Sequence, residues 1–568
     1  MSYTYRNPLQ PFEFRDLIDM VEKGEILSPE MIQRGFVWGK TKIYDLFESI
    51  FKNYPIGIII LWEMDDELRM KIRSGEDIPI GFKPLIKLDH RPENPKYFVI
   101  DGLQRLISFI LIKNGEAEVL HKQKEYKKQK VNIYYNPEED RVGPRKGDVG
   151  KPAIPVADVF DEEKLGHYEH PILDKLYKLK YRIMTYKVPV YILSPRYDII
   201  DIANIFNRIN SKGTKIVLAQ IITAYLAVTL REVALDLWEF IKRLRTRGLQ
   251  ISITTPAKSL SYLLIGTTQV KTMLDKVSKG EINRDHVSNM WRSLKTAYDN
   301  TFTILREHLG LTNTRILPSE TPLTTFSIIL YKIDKEYRIQ RDPDFNKALA
   351  LWFVMATFHG YYTGSTEVKI DKDIKSVEEA LKNRKGLQGV IKALIDRLEE
   401  VVGPLDRTVD KVENITARDR KGKFLLYALL HMNRAVDWYT GQGLTAYSWD
   451  RIHLHHIFPR SMRLSRRQAR YLNNIGNLTF IGDETNKRIR NKVPKVYLEE
   501  LYNYLKEQYR DEETAKRKFN ELLKSHFIPT DRRFWRNLSS FAERRKEQIV
   551  NFVKEHVIGY LREYVKGT

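Results

Sequence analysis

Apolar and polar positions change their rhythm along this chain, and the change divides it. Ile43, Leu46, Phe47 and Ile50 recur at helical spacing within residues 42–52. Pro55 and Gly57 break that helix, and Ile58-Ile59-Ile60-Leu61-Trp62 follows as the continuous apolar run of a buried strand. Tyr97-Phe98-Val99-Ile100 predicts a second strand, Asp101-Gly102 a turn, and Leu106, Phe109 and Ile110 the inner face of a helix. Residues 137–155, polar and basic with Pro and Gly, predict a long loop, and Val188-Pro189-Val190-Tyr191-Ile192-Leu193 a returning strand. From about residue 216 to 361 helical periodicity dominates, as in Ile221-Ile222-Tyr225-Leu226 and Ile328-Ile329-Leu330-Ile333. Thr363-Gly364-Ser365-Thr366 is a candidate boundary before further helices over 377–402 and 423–438, and no internal repeat interrupts the series. The predicted class is α+β: a mixed α/β domain over 1–215, a helical middle over 216–365, and a helical domain over 366–568.

Composition narrows the functional classes. With 42% hydrophobic and 30% charged residues in 568, the chain has material for several packed cores and is neither disordered nor membrane-like. No run approaches about 18 apolar residues and residues 1–12 lack the apolar core of a signal peptide, so a cytoplasmic protein is expected. Lys and Arg number 95 against 73 Asp and Glu, a formal charge of +22, which favours a polyanionic partner. Cysteine is absent, so a metal has only nitrogen and oxygen ligands to use, and the Glu, Lys and Arg content hints at heat adaptation.

Chemistry concentrates near residues 450–495. Ile452-His453-Leu454-His455-His456-Ile457-Phe458 alternates like a strand and is closed by Pro459; an arginine-rich loop follows from Arg460 to Arg470. Asn473-Asn474-Ile475-Gly476 reads as a turn, Asn477-Leu478-Thr479-Phe480-Ile481 as a short strand, and Asp483-Glu484-Thr485-Asn486-Lys487-Arg488 as a helix start with Asp483 as N-cap. Hydrolysis of a phosphodiester needs a base near neutral pKa and a cation at the phosphate, and histidine beside a metal supplies both. The order and residue types resemble the His-Me finger, or HNH, nucleases. That resemblance implies a ββα-metal nuclease embedded in helices, with His456 as general base, Asn477 orienting it, and Asn486 as metal ligand. His455 stands where the family usually has a carboxylate, which shifts the expected ion from Mg²⁺ towards Mn²⁺, Ni²⁺ or Zn²⁺. Successive strand residues face opposite ways, so His455 and His456 converge only if the strand twists or ends there; His453 shares the face of His455 and is a reserve ligand. Arg460, Arg463, Arg467, Lys487, Arg488 and Arg490 are candidate DNA contacts, joined by Arg466, Arg470 and Lys492, with Arg544 and Arg545 on the same surface.

A second constellation lies in the first 215 residues. Asp101-Gly102-Leu103-Gln104-Arg105 places a Gly turn at a helix N-terminus, a setting that suits phosphate, and Arg34, Asn207, Asn210 and Gly213 add side chains and backbone of the kind phosphate recognition uses. Together these segments resemble the N-terminal domain of GmrSD-type, modification-dependent type IV restriction enzymes, in which a ParB/sulfiredoxin-like fold binds and hydrolyses NTP through an Asp-Gly-Gln-Gln-Arg motif and a C-terminal HNH domain cuts DNA. Leu103 replaces the first Gln of that motif. The resemblance implies a phage-defence endonuclease that senses modified DNA, uses GTP or ATP together with a divalent metal, and is compatible with a homo-oligomer. Trp38, Trp62 and Tyr134 are candidates to line a pocket for a modified base. Two alternatives stay open: a nucleotide-responsive DNA-binding regulator with a structural HNH-like region, and an RNA-directed toxin nuclease.

Overall fold

The computed structural model describes residues 8–29, 35–75, 82–121, 125–197, 230–509 and 511–566. It is a mixed α and β protein with its main sheet near the N-terminus and a helical remainder. The chain divides into two compact units, Met1–Leu235 and Asp236–Thr568.

In the first unit, six strands form one sheet: β1 (Leu9–Glu13), β2 (Ile26–Pro29), β3 (Ile59–Glu63), β4 (Phe82–Pro84), β5 (Tyr97–Asp101) and, later in the chain, Lys187–Leu193. Between them lie β6 (Glu116–Leu120) paired with β7 (Tyr126–Lys130), and β8 (Tyr134–Asn136), β9 (Arg141–Gly143) and β10 (Ile154–Pro155), so Lys187–Leu193 is β11. The large sheet runs β1-β11-β3-β5-β2-β4; β11 pairs with β3 and β2 with β5 in parallel, and the other neighbours are antiparallel. β3 and β5 are apolar up to their last residues, Glu63 and Asp101, because both faces of the sheet are covered. Ile59, Leu61 and Val99 enter the core built with helices Phe14–Glu22, Lys40–Phe51 and Leu103–Asn114, while Ile60, Trp62, Phe98 and Ile100 pack on the opposite side with Ile72.

Two expectations change here. Ile58 is exposed and the strand begins one residue later. Residues 137–155 are not a plain loop: β8, β9 and β10 make a small sheet, with a short helix at Lys146–Val149. Strands of two and three residues among Pro, Gly and charges carry too few alternating positions to show in the sequence. What holds them is Tyr135, Val142 and Ile154 in the core, and buried Asn136, whose Nδ2 donates to the Val149 carbonyl at 2.8 Å.

The second unit is helical apart from one hairpin. Pro343–His359 is buried on every side from Ala348 to Phe358 and is packed by Arg284–Leu309, Thr321–Tyr331, Gly386–Val402, Arg420–Met432 and Tyr560–Val565, as expected for a stretch with no solvent face. The turn at residues 363–366 leads into Thr366–Lys382, and this helix and Pro343–His359 both pack on Gly386–Val402. The single helix expected over 377–402 is broken at Asn383-Arg384-Lys385, where Arg384 takes a left-handed φ of 52°, and the helix expected to reach Trp438 ends at Met432, before Arg434 at φ 56°. Ile221 to Leu226 lie outside the described residues. Among the described residues no helix is long and apolar enough to cross a membrane.

Candidate active site

The hairpin of the second unit pairs β12 (Ile452–His456) with β13 (Leu478–Gly482) antiparallel, His455 opposite Thr479 and His456 opposite Leu478. A loop between them carries helix Arg466–Leu472, started by a Ser465/Gln468 capping box, and helix Asp483–Ile489 follows directly. The strand ends at His456, which is how adjacent histidines come to line one cleft. Gly482, not Asp483, is the N-cap; Asp483 is drawn into an ion pair with Arg451.

The helix lays Asn486 Oδ1 3.1 Å from His455 Nδ1. Burial drives the His455 pKa down to about 4, so this imidazole is neutral, and its Nε2 is buried without a hydrogen-bond partner. His456 is half-buried, and burial, reinforced by Arg460, lowers its pKa against the opposing bond from Asn473. That bond joins His456 Nε2 to Asn473 Oδ1 at 3.0 Å. With a carbonyl oxygen as partner, Nε2 carries the proton and Nδ1 keeps the lone pair, which is what a general base requires.

Asn477 is not the hydrogen-bond partner of His456. Fully buried, it accepts from Phe458 N at 2.7 Å and donates to Phe458 O and Leu472 O at 3.1 and 2.8 Å, fastening the two ends of the loop. The residue in contact with His456 is Asn473, which the sequence showed only as the start of an Asn-Asn turn. Further anchors come from far away in the chain. Buried Asp437 accepts from Gly482 N at 2.7 Å and from Thr485 Oγ1 at 2.6 Å, fixing the corner from which the Asn486 helix departs. His526 bridges Thr479 Oγ1 and the Val436 carbonyl, and Tyr497 Oη donates to Ile457 O at 3.0 Å. Arg545, expected at the surface, is fully buried and donates to Ile475 O and His526 O; Arg544 is paired with Glu547. A hydrophobic helix face surrounds Arg545, so its charge faces carbonyls rather than solvent.

The cleft over the histidines holds about 550 Å³. His455, His456, Asn473, Asn486, Arg418, Arg460 and Arg490 line it, together with no carboxylate. None of the three arginines is ion-paired among the described residues, so their charge is open to an anion. Arg418 precedes helix Arg420–Met432 and nothing in its local sequence marks it. Of the other basic candidates, Arg463, Arg467, Lys487 and Arg488 are exposed but outside this lining, with Lys487 near Asp483 and Arg488 stacked over Tyr439 and Tyr504. His453 does not line the cleft either. For a divalent ion the donors fit in part: His455 Nδ1 and Asn486 Oδ1 have the roughly 3 Å separation of two neighbours on one ion with bonds of about 2.1 Å, but Nδ1 now donates to Asn486 and would ligate only with the proton moved to the partnerless Nε2. No group of three His, Asp or Glu side chains suited to a metal occurs among the described residues, so solvent or substrate oxygens would fill the other positions.

In the first unit, Asp101 ends β5 and Gly102, at φ 100°, starts helix Leu103–Asn114; a Cβ there would lie 2.9 Å from Ile59. Leu103 is buried in the core. Gln104 bonds Val37 N, Trp38 N and Gly35 O, holding the 35–38 loop, and Arg105 donates to Asp101 Oδ2 at 3.0 Å and Ile56 O at 3.1 Å. Both side chains are thus engaged within the fold. Trp62 packs in the smaller core, and Trp38 is partly buried against the larger one. Arg34, Asn207, Asn210 and Gly213 lie outside the described residues.

An uncharacterized protein of Methanocaldococcus jannaschii is 26% identical over 561 residues, covering 90% of this chain and 91% of its own. Residues 14–227 match the family described as GmrSD restriction endonuclease, N-terminal domain. The N-terminal region of this chain is therefore similar to the N-terminal domain of the GmrSD restriction endonucleases.

Proposed function

We propose that the chain is a metal-dependent, modification-dependent DNA endonuclease of phage defence, acting in the cytoplasm, with the HNH-type centre in residues 450–495. One observation carries the reading: a half-buried His456, held through Nε2 and with its pKa lowered by burial, lines a cleft with three arginines free of ion pairs among the described residues and no acidic lining. The similarity of residues 14–227 to a restriction endonuclease domain makes DNA the polyanion. His456 takes a proton from water at Nδ1 as that water attacks phosphorus in line, while Arg418, Arg460 and Arg490 hold the phosphate oxygens. His455 and Asn486 would hold a divalent ion, Mg²⁺ or Mn²⁺ and also Ni²⁺ or Zn²⁺, which would supply positive charge to the phosphate and the departing 3′ oxygen. Asn473 orients the base, and Asn477 keeps the loop that carries it.

Residues 1–215 form the nucleotide-binding and DNA-sensing part in this reading, 216–365 a helical connector, and 366–568 the part carrying the nuclease. GTP or ATP binds at the Asp101-Gly102 turn, with Arg34, Asn207, Asn210 and Gly213 as further contacts, while Gln104 and Arg105 brace the turn. The test uses supercoiled plasmid, unmodified and phage-modified, with Mg²⁺ or Mn²⁺ and with or without GTP or ATP. Metal-dependent nicking or linearisation is expected, and His456→Ala abolishes it with DNA binding retained. Full cleavage by His456→Ala, or tight DNA binding without cleavage in any lane, refutes the reading.

A further inference from the structure

A second cavity of the helical unit, of about 660 Å³, lies away from the histidine cleft. Its walls are the ends of helices Arg284–Leu309 and Arg420–Met432, one side of Pro343–His359, and a segment near the C-terminus. Positive and titratable groups crowd into it: His308, Lys347, His431 and Arg434, with Glu307 as the one carboxylate of the lining. Neither Lys347 nor Arg434 has a carboxylate partner among the described residues; Lys347 rests over the Tyr560 ring at 3.8 Å. Burial, with Lys347 and His431 beside it, holds the His308 pKa down against Glu307. Lys347 and Arg434 thus keep positive charge that an anion can meet.

The lining also holds aromatic rings. Phe552 and His556 lie 4.4 Å apart between centroids with their rings tilted by 43°, and His556 belongs to a π-helical stretch, Val553–Gly559. Runs of this kind are rare and are frequently found at functional sites. Leu351 and Leu444 add an apolar surface. The cavity's remaining side is residues 433–436, which run straight into Asp437, the residue that fixes Gly482 and Thr485.

We propose that this cavity binds a nucleoside monophosphate, its phosphate met by Lys347 and Arg434 and its base lying against Phe552 and His556, and that the bound ligand braces the segment carrying Asp437. The volume is within the range of small-ligand sites, about 300–1,000 Å³, and a lining with both unpaired cations and aromatic rings matches a ligand with both parts. Binding here is independent of the nuclease reading and of the turn at Asp101.

Calorimetric titration of the full-length protein with AMP, inorganic phosphate and adenosine tests it. AMP is expected to bind one to one, phosphate and adenosine each at least about tenfold more weakly. Lys347→Gln and Arg434→Gln, with unchanged circular dichroism, weaken AMP about tenfold or more through loss of charge-assisted bonds. His556→Ala, at an exposed position, weakens AMP and adenosine but not phosphate. AMP slows hydrogen exchange in residues 433–445 of the native chain and not in Lys347→Gln. No binding at millimolar AMP, affinity unchanged by both charge substitutions, or loss of binding on Asp101→Ala overturns the site. Phosphate binding as tightly as AMP overturns its assignment to a nucleoside.

Discussion

Asn473 and Asn477 sit four residues apart in one loop, yet the structure gives them opposite jobs, and a pair of alanine substitutions separates the two. Asn477 is fully buried and makes three hydrogen bonds, all to the backbone of Phe458 and Leu472. Alanine leaves two carbonyls and one N–H without their partner in the interior. Each lost bond is worth about 1 kcal/mol and each group left unsatisfied about 1–3 kcal/mol, so with partial relaxation the change costs about 3–5 kcal/mol. Asn473 is partly exposed and bonds the His456 ring through one atom, so its alanine variant costs about 1 kcal/mol or less. Cleavage responds the other way. Losing the partner that sets the His456 tautomer lowers the rate about 10- to 100-fold, the range seen when a supporting residue of a metal site is removed. Urea unfolding followed by tryptophan fluorescence gives stability, and plasmid nicking under excess enzyme gives the rate. Equal destabilisation by the two variants, or wild-type cleavage by Asn473→Ala, refutes the division.

Gly476→Ala places a Cβ 2.1 Å from the Ala542 carbonyl oxygen, a backbone contact that cannot swing away, so it is expected to lower thermal stability more than Gly441→Ala, whose added carbon meets nothing but whose φ of 67° is strained; equal melting curves count against the packing. The pKa of His526 and of His359 is pushed down to about 4, by burial first in both cases. These groups stay neutral when folded and take up protons when unfolded, so the stability they contribute is complete above pH 6.5 and declines as pH falls from 6.5 towards about 4. Urea midpoints measured across pH 4–8 check this, and a midpoint flat over pH 4–6.5 refutes it. Arg418→Ala removes one open charge from the cleft, and the slope of log affinity against log salt for DNA is expected to fall by about 1; an unchanged slope removes Arg418 from the phosphate contacts.

Much of the local structure was readable in the sequence because it rests on local rules. Continuous apolar runs gave β3 and β5, helical spacing gave Lys40–Phe51 and the inner face of Leu103–Asn114, and the His-His, Asn and Glu-Thr-Asn order marked the strands and helix around the cleft. Charge and the absence of cysteine restricted partner and metal chemistry without any coordinates. Tertiary structure alone decided the rest. Which asparagine meets His456 depends on how the 457–477 loop folds back, and two asparagines four residues apart are chemically identical until it does. Arg545 and Arg544 are neighbours in sequence, but one helix face is buried and the other is not. Asp437, Arg418 and His526 reach the hairpin from elsewhere in the chain, and a contact made across such a separation leaves no periodicity for the sequence to reveal.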